Sequence, residues 1–329
     1  MKSKIENFQK KINEEIEKFS AELSIPPAEL YDPIRYMLSL GGKRIRPIFM
    51  LIACDLFGGE TDDAISSALA VELFHNFTLV HDDIMDNAPL RRNQPTIYKK
   101  WNLSTAILSG DVMMVKAYQL ISKSKMCDAV FPAFNDMAIK VCEGQQWDLN
   151  YEQAHKISIQ QYYKMIDLKT AVLFAATMKI GALIGGAKEE ATQLYEFGKN
   201  IGIAFQLQDD LLDAYGNEEK FGKQSGGDII SNKKTFLLLK AMELSNLNAY
   251  KKEELAQWLS FVPKNEKDSA EKINAVKSIY DFTNVKKITE QEINSFHQKA
   301  IFSLEKVSAS SEKKNHLLKF TSSLLEREA

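Results

Sequence analysis

The chain has 329 residues, 45% hydrophobic and 26% charged, with a formal net charge of −2. This is ordinary globular composition, and the near-neutral charge argues against a general nucleic-acid binder. Only 15 Gly and 8 Pro supply turn signals, and apolar residues recur at helical spacing almost throughout, so an all-α fold is expected.

Three cysteines (Cys54, Cys127 and Cys142) follow no spacing pattern and read as buried apolar residues in a reducing compartment. Residues Met1 to Leu23 alternate charged and apolar side chains without a signal-type apolar core. The longest apolar region, Ala171 to Ala187, is cut by Lys179 and rich in Gly, too short to span a bilayer. A cytoplasmic protein without integral membrane contact is expected.

Ile5, Phe8, Ile12, Ile16, Phe19 and Leu23 form a helical stripe that Ile25-Pro26-Pro27 ends. Leu40-Gly41-Gly42-Lys43-Arg44-Ile45-Arg46-Pro47 follows, with two basic residues three apart; alone it reads as a basic loop at a helix end. Thr61 to Asp86 is a long helix with an inward face of Ile65, Ala68, Leu69, Leu73, Phe77 and Val80. Asp62 and Asp63 complement its N-terminus. His75 lies on the same helix and reads equally as structural or ligand-binding.

Leu90-Arg91-Arg92-Asn93-Gln94-Pro95-Thr96 is a basic turn leading into another helix, and Gly110 marks close helix packing. The run ending at Cys142 to Asp148 closes a further helix. Lys169-Thr170 interrupts the apolar stretch Tyr162 to Gly186; a lysine there needs an anion or must snorkel to the surface. Gly198 to Tyr215 is helical, and Phe221 to Asp228 with Asn232-Lys233-Lys234-Thr235 forms a basic, glycine-containing loop suited to a lid or a plain connection. From Phe236 on, amphipathic helices close the bundle, with a loop at Phe261 to Lys264 and a capping box at Thr289 to Glu292.

Two acidic clusters organise these elements: Asp82-Asp83-Ile84-Met85-Asp86 and Asp209-Asp210-Leu211-Leu212-Asp213. Both spell D-D-x-x-D at the end of an apolar helix. The first and last aspartates of each share a helix face. Such oxygen ligands suit Mg²⁺, which takes one or two carboxylates, several waters and substrate phosphates. Basic residues near both clusters point to a small polyanionic ligand.

With these motifs in this order, Leu40 to Thr235 resembles the trans-isoprenyl diphosphate synthases, the family that includes farnesyl and geranylgeranyl diphosphate synthases. The resemblance implies an all-α antiparallel helical barrel around a deep central cavity, one isoprenoid synthase domain over 1–329 with its motif-bearing core at 40–235 and closing helices at 236–329, and a homodimer. It implies Mg²⁺-dependent condensation of isopentenyl diphosphate with an allylic diphosphate. Asp82 and Asp86 would bind two Mg²⁺ and Asp209 a third, with Asp83, Asp210 and Asp213 assisting. Arg91, Lys169, Thr170, Gln206, Lys223 and Lys233 would hold the allylic diphosphate or its developing charge; Lys43, Arg46, His75 and Arg92 would hold isopentenyl diphosphate.

Asn93 stands where the family often has Gly, and it tolerates the same positive-φ turn. Leu211 replaces a common Tyr without removing a ligand. Phe77, about 7.5 Å before Asp82 along the helix, is expected to floor the cavity, with the smaller Thr78 beside it. The expected product is C20, with C15 as the alternative. A terpene cyclase would carry a different second metal motif and lack the Lys43/Arg46 pair, and a non-catalytic subunit would have lost an aspartate cluster.

Overall fold

The helical periodicity becomes helix at almost every point. A computed structural model of the chain describes residues 2–216, 226–246 and 248–325. It comprises two compact units, Met1–Met137 with Leu173–Tyr195 and Lys306–Leu317, and Ala138–Val172 with Glu196–Glu305 and Leu318–Ala329.

The first unit contains α1 (Lys2–Glu22), α2 (Ala28–Ser39), α3 (Ile45–Leu56), α4 (Thr61–Met85), a two-residue hairpin β1 (Leu90–Arg91) and β2 (Gln94–Pro95), α5 (Ile97–Lys100) and α6 (Leu103–Ile121). Helix α4 packs against α1, α3 and α6. A helix covered on several sides is apolar nearly all round, and α4 is buried from Ala68 through Phe74 without a break. Its inward surface is therefore broader than a single stripe: Ser67 and Glu72 are buried with it, while Ile65 is only half-buried. Asp62 and Asp63 occupy its first turn as expected. A Cβ on Gly110 of α6 would lie 2.3 Å from His81 Nε2, so α6 approaches α4 closely there.

The second unit contains α8 (Ile159–Ile166), a π-helical turn (Asp167–Ala171), α11 (Gly227–Ile230), α12 (Phe236–Ser245), α13 (Ala249–Ser260), α14 (Glu266–Phe282) and α15 (Val285–Glu305). Helices α7 (Cys127–Gln153), α9 (Val172–Ile184), α10 (Ala191–Tyr215) and α16 (Ser311–Leu325) include residues of both units. The second unit's core gathers Leu207 and Leu211 with Phe236, Leu237, Ile279 and Tyr280. Among the described residues, no helix is long and apolar enough to cross a membrane.

Three local expectations change. Thr289 to Glu292 is no helix start: α15 begins at Val285, and Thr289 is buried mid-helix with its hydroxyl donating to Val285 O at 2.8 Å. The capping-box letters instead serve a buried threonine that satisfies itself on the preceding turn. Only Cys54 of the three free cysteines is buried; Cys127 is half-buried and Cys142 exposed on α7. The run ending at Asp148 continues to Gln153.

One pair of charges sits inside the first unit. Arg44 Nη1 donates to Glu72 Oε1 at 2.7 Å, with side chains 3% and 4% exposed. Arg44 Nη2 donates to Leu38 O at 3.0 Å, and Asn76 Nδ2 donates to Glu72 O at 2.7 Å. Removing one partner of such a pair strands a buried charge. Glu72→Gln is expected to lower stability by about 3–5 kcal/mol in urea denaturation, and Arg44→Met/Glu72→Met together by less than the two single losses added.

Candidate active site

The first aspartate cluster closes α4. Asp82 and Asp83 lie in its last turn, and Asp86 is its C-cap. Successive helical residues are rotated by about 100°, so Asp83 turns inward and is 3% exposed, while Asp82 is partly open and Asp86 exposed. The β-hairpin returns Arg91 to this point through a tight turn with Arg92 and Asn93 at φ 53° and 60°. The positive φ expected of Asn93 is present. Arg91 Nε donates to both Asp83 oxygens at 2.9 Å, its Nη2 lies 2.7 Å from Asp83 Oδ1, and Asp82 Oδ2 is 3.8 Å away. Such charge-assisted contacts fix the guanidinium.

The Gly41-Gly42 segment brings together the second set of basic residues. Arg92 Nη1 donates to Gly41 O, and a Cβ on Gly42 would lie 3.1 Å from Arg92 Nη2. On α3, Arg46 Nη1 donates to His75 Nε2 at 3.2 Å, and its guanidinium lies 4.6 Å from the Phe174 ring centroid. Burial lowers Arg46 to about 10. Burial, then Arg46, then Arg92 and Arg91, hold His75 well below its usual 6.5. His75 is therefore the neutral acceptor of Arg46. Lys43, three residues before Arg46, is exposed. Phe77 is buried, with its ring centroid 5.3 Å from Phe74 and 4.8 Å from His81. Thr78 Oγ1 donates to His75 O at 2.7 Å.

The second cluster lies near the end of α10 and repeats the division: Asp209 is exposed, Asp210 is buried and Asp213 is half-buried. Asp210 accepts from Tyr162 Oη at 2.6 Å and from Gln206 Nε2 at 2.8 Å, and Gln206 Oε1 accepts from Thr170 Oγ1 at 2.8 Å. Burial and the Asp228 charge raise Asp210, and burial with Asp210 beside it raises Tyr162 well above 10, which keeps the phenol a donor. Asp213 Oδ2 accepts the Asp228 N–H at 2.9 Å, and Lys233 Nζ lies 3.8 Å from Asp228 Oδ1. Lys169 Nζ is 2.5 Å from Asp148 Oδ2. Lys169, Thr170, Gln206, Asp210 and Lys233 line one cavity, together with Asp148 and Tyr162. The expected residue Lys223 and the rest of Phe221 to Ser225 lie outside the described residues.

Among the described residues, no three Asp, Glu, His or Cys side chains form a ready-made metal cage. Mg²⁺ keeps waters and uses few carboxylates, and the exposed Asp86 and Asp209 with the half-buried Asp82 are a donor set that fits it. Asp82 is half-buried and Asp86 and Asp209 are exposed, while Asp83 and Asp210 hold other side chains in place.

Several participants were passed over in the sequence. Glu72 and Asp148 sit within helical runs where a charge is costly, which is the signal that could have found them. Tyr162 carries no such signal. Lys272, 1% exposed on α14, donates to Ile230 O at 3.1 Å and Phe261 O at 3.0 Å and so braces the turn between Asp228 and Lys233 from the closing helices.

The polyprenyl synthetase family model matches residues 27–279. The geranylgeranyl diphosphate synthase of Methanosarcina mazei is 41% identical over 222 residues, covering 66% of this chain and 68% of that protein. The Sulfolobus acidocaldarius geranylgeranyl diphosphate synthase is 42% identical over 223 residues, covering 66% and 68%. A crystal structure of a geranylgeranyl pyrophosphate synthase superposes with a TM-score of 0.92 at 40% identity over 99% of both chains. The Pyrococcus horikoshii geranylgeranyl pyrophosphate synthetase does so at 0.86 and 33% identity, over 99% of this chain and 100% of that one. The chain belongs to the polyprenyl synthetase family of prenyltransferases and has the all-α isoprenoid synthase fold.

Proposed function

We propose that this prenyltransferase condenses isopentenyl diphosphate with an allylic diphosphate and releases geranylgeranyl diphosphate, C20. The observation that carries this is the lining of the second unit's cavity, where Lys169 and Lys233 stand with Thr170 and Gln206 beside Asp210 of the second aspartate cluster. The relatives named for geranylgeranyl diphosphate support the chain length. Residues 1–329 are assigned to one catalytic domain with its motif-bearing core at 40–235; the family match from 27 to 279 supports this.

In this reading Asp82 and Asp86 hold two Mg²⁺ and Asp209 a third. Bound there, the ions supply Lewis-acid stabilisation of the departing diphosphate. Arg91, locked by Asp83, donates to the same anion, and Lys169 and Lys233 meet its growing charge. Lys223 is assigned to the same group from its place in the motif. Arg46, Lys43 and Arg92 grip isopentenyl diphosphate, with His75 keeping Arg46 oriented through its neutral ring. The isopentenyl double bond attacks the allylic cation, and the released diphosphate takes the proton, so no protein nucleophile is required. Apolar walls keep water from the cation. Phe77 closes the space available to the growing chain.

A homodimer is the proposed assembly. Leu108 and Val115 of α6, seven residues apart and so on one helix face, are each more than half exposed, an apolar strip suited to a second copy. Sedimentation equilibrium is expected to give twice the chain mass, and Leu108→Glu/Val115→Glu to give the single mass.

Purified protein with Mg²⁺, isopentenyl diphosphate and C5, C10 or C15 allylic primers is expected to yield C20; no elongation with any primer refutes the function. Asp82→Asn and Asp209→Asn should each lower kcat roughly 100- to 1,000-fold, comparable to the loss of a charge-stabilising group, and EDTA should abolish turnover reversibly. Phe77→Ala is expected to extend products beyond C20 in chromatography of the dephosphorylated alcohols; an unchanged distribution removes Phe77 as the floor.

A further inference from the structure

Lys169 and Thr170 lie on the π-helical turn Asp167–Ala171, whose end is marked by the Val172 N–H bonding back to Asp167 O. Such turns are rare within helices and recur at functional sites. Within the second unit, α7 and α10 both approach this turn at backbone distance. A Cβ on Gly144 of α7 would lie 2.2 Å from Lys169 N and 2.6 Å from Leu168 C. A Cβ on Gly202 of α10 would lie 2.5 Å from Ala171 Cα. Neither gap admits a methyl group, so the turn is held by main-chain contact on both sides.

Each flanking helix adds a polar side chain one turn beyond its glycine. On α10 this is Gln206, four residues after Gly202, which accepts the Thr170 hydroxyl at 2.8 Å. On α7 it is Asp148, four residues after Gly144, which pairs with Lys169 at 2.5 Å. Residues four apart share a helix face, so the same glycine-plus-partner device serves two adjacent residues of the turn. The Asp148 side chain is 9% exposed and that of Lys169 23%. A lysine with a four-carbon stem and an open path to solvent does not hold its ammonium over a cavity unaided.

We infer that Asp148 is the positioning residue for Lys169: from the α7 face that begins at Gly144, it fixes where the ammonium stands in the cavity. This rests on the reading that Lys169 meets the diphosphate charge. Asp148 touches no reacting atom in that reading and acts only through Lys169.

The test is a double-mutant cycle on the full chain, with kcat and both KM values measured at saturating Mg²⁺. Asp148→Asn is expected to lower kcat roughly 10- to 100-fold, the scale of a misplaced catalytic group, and to leave the KM for isopentenyl diphosphate unchanged. In a Lys169→Gln background the same change should cost less than about twofold, within ordinary additivity error. Asp148→Glu, which keeps the charge but moves it, should retain the fold by circular dichroism and fall between wild type and Asp148→Asn in kcat; it carries the test if Asp148→Asn fails to fold. Wild-type kcat in Asp148→Asn overturns the proposal, as does a loss that multiplies in full with Lys169→Gln. Wild-type kcat in Lys169→Gln alone removes the role of Lys169 itself, and the positioning role with it.

Discussion

A charge withdrawn from water inside a helical core has to meet a partner that stays in place. That constraint governs this chain more than helix propensity does. Arg44 and Glu72 satisfy it in the first unit, and Asp83 meets it with Arg91. In the second unit Asp210 meets it with Tyr162 and Gln206, and Asp148 with Lys169. Buried pairs of this kind add little net stability over apolar packing, but they admit few alternative geometries. Their value here is that each fixes a donor or an acceptor at a cavity or a turn.

The two D-D-x-x-D motifs divide their labour in the same way. Helical rotation carries the second aspartate of each inward: Asp83 is 3% exposed and Asp210 5%. The outer aspartates Asp82, Asp86 and Asp209 remain accessible. The inner carboxylate then behaves as an acceptor for neighbouring donors and fixes them, while the outer ones stay able to ligate a cation. The three aspartates of each motif are therefore not equivalent: one is buried against neighbouring donors, and the first is more open to solvent. Carboxylates at the C-terminal end of α4 also face the negative end of the helix dipole, which favours a bound cation over a bare cluster.

The helical architecture and both clusters were legible because they rest on local information: period, spacing and residue type. The positive φ at Asn93 and the close packing at Gly110 were legible for the same reason. What escaped notice depends on contacts between residues far apart in the chain. Asp148 pairs with a lysine 21 residues away, and Lys272 reaches a carbonyl 42 residues away. Thr289 misled because the letters of a capping box also describe a buried mid-helix threonine, and only packing distinguishes the two. The π-helical turn is likewise not legible in the periodicity: its extra residue shifts the helical phase by about 100°, but Ala171 to Leu183 is buried almost without a break and has no single stripe in which the shift would show.

The hydrogen-bond chain in the second unit assigns direction as well as position. Asp210 accepts from Gln206, so the Gln206 amide nitrogen points at the carboxylate and its oxygen points the other way, toward Thr170. Thr170 therefore spends its one hydroxyl hydrogen on Gln206 and offers only lone pairs to the cavity. A hydroxyl in that state is an acceptor only toward the cavity. Lys169, one residue earlier on the same turn, has only hydrogens to offer. Adjacent residues of one turn thus present opposite polarities to the same cavity, Lys169 hydrogens and Thr170 lone pairs. The direction of the chain follows from Asp210 acting as acceptor to both Tyr162 and Gln206.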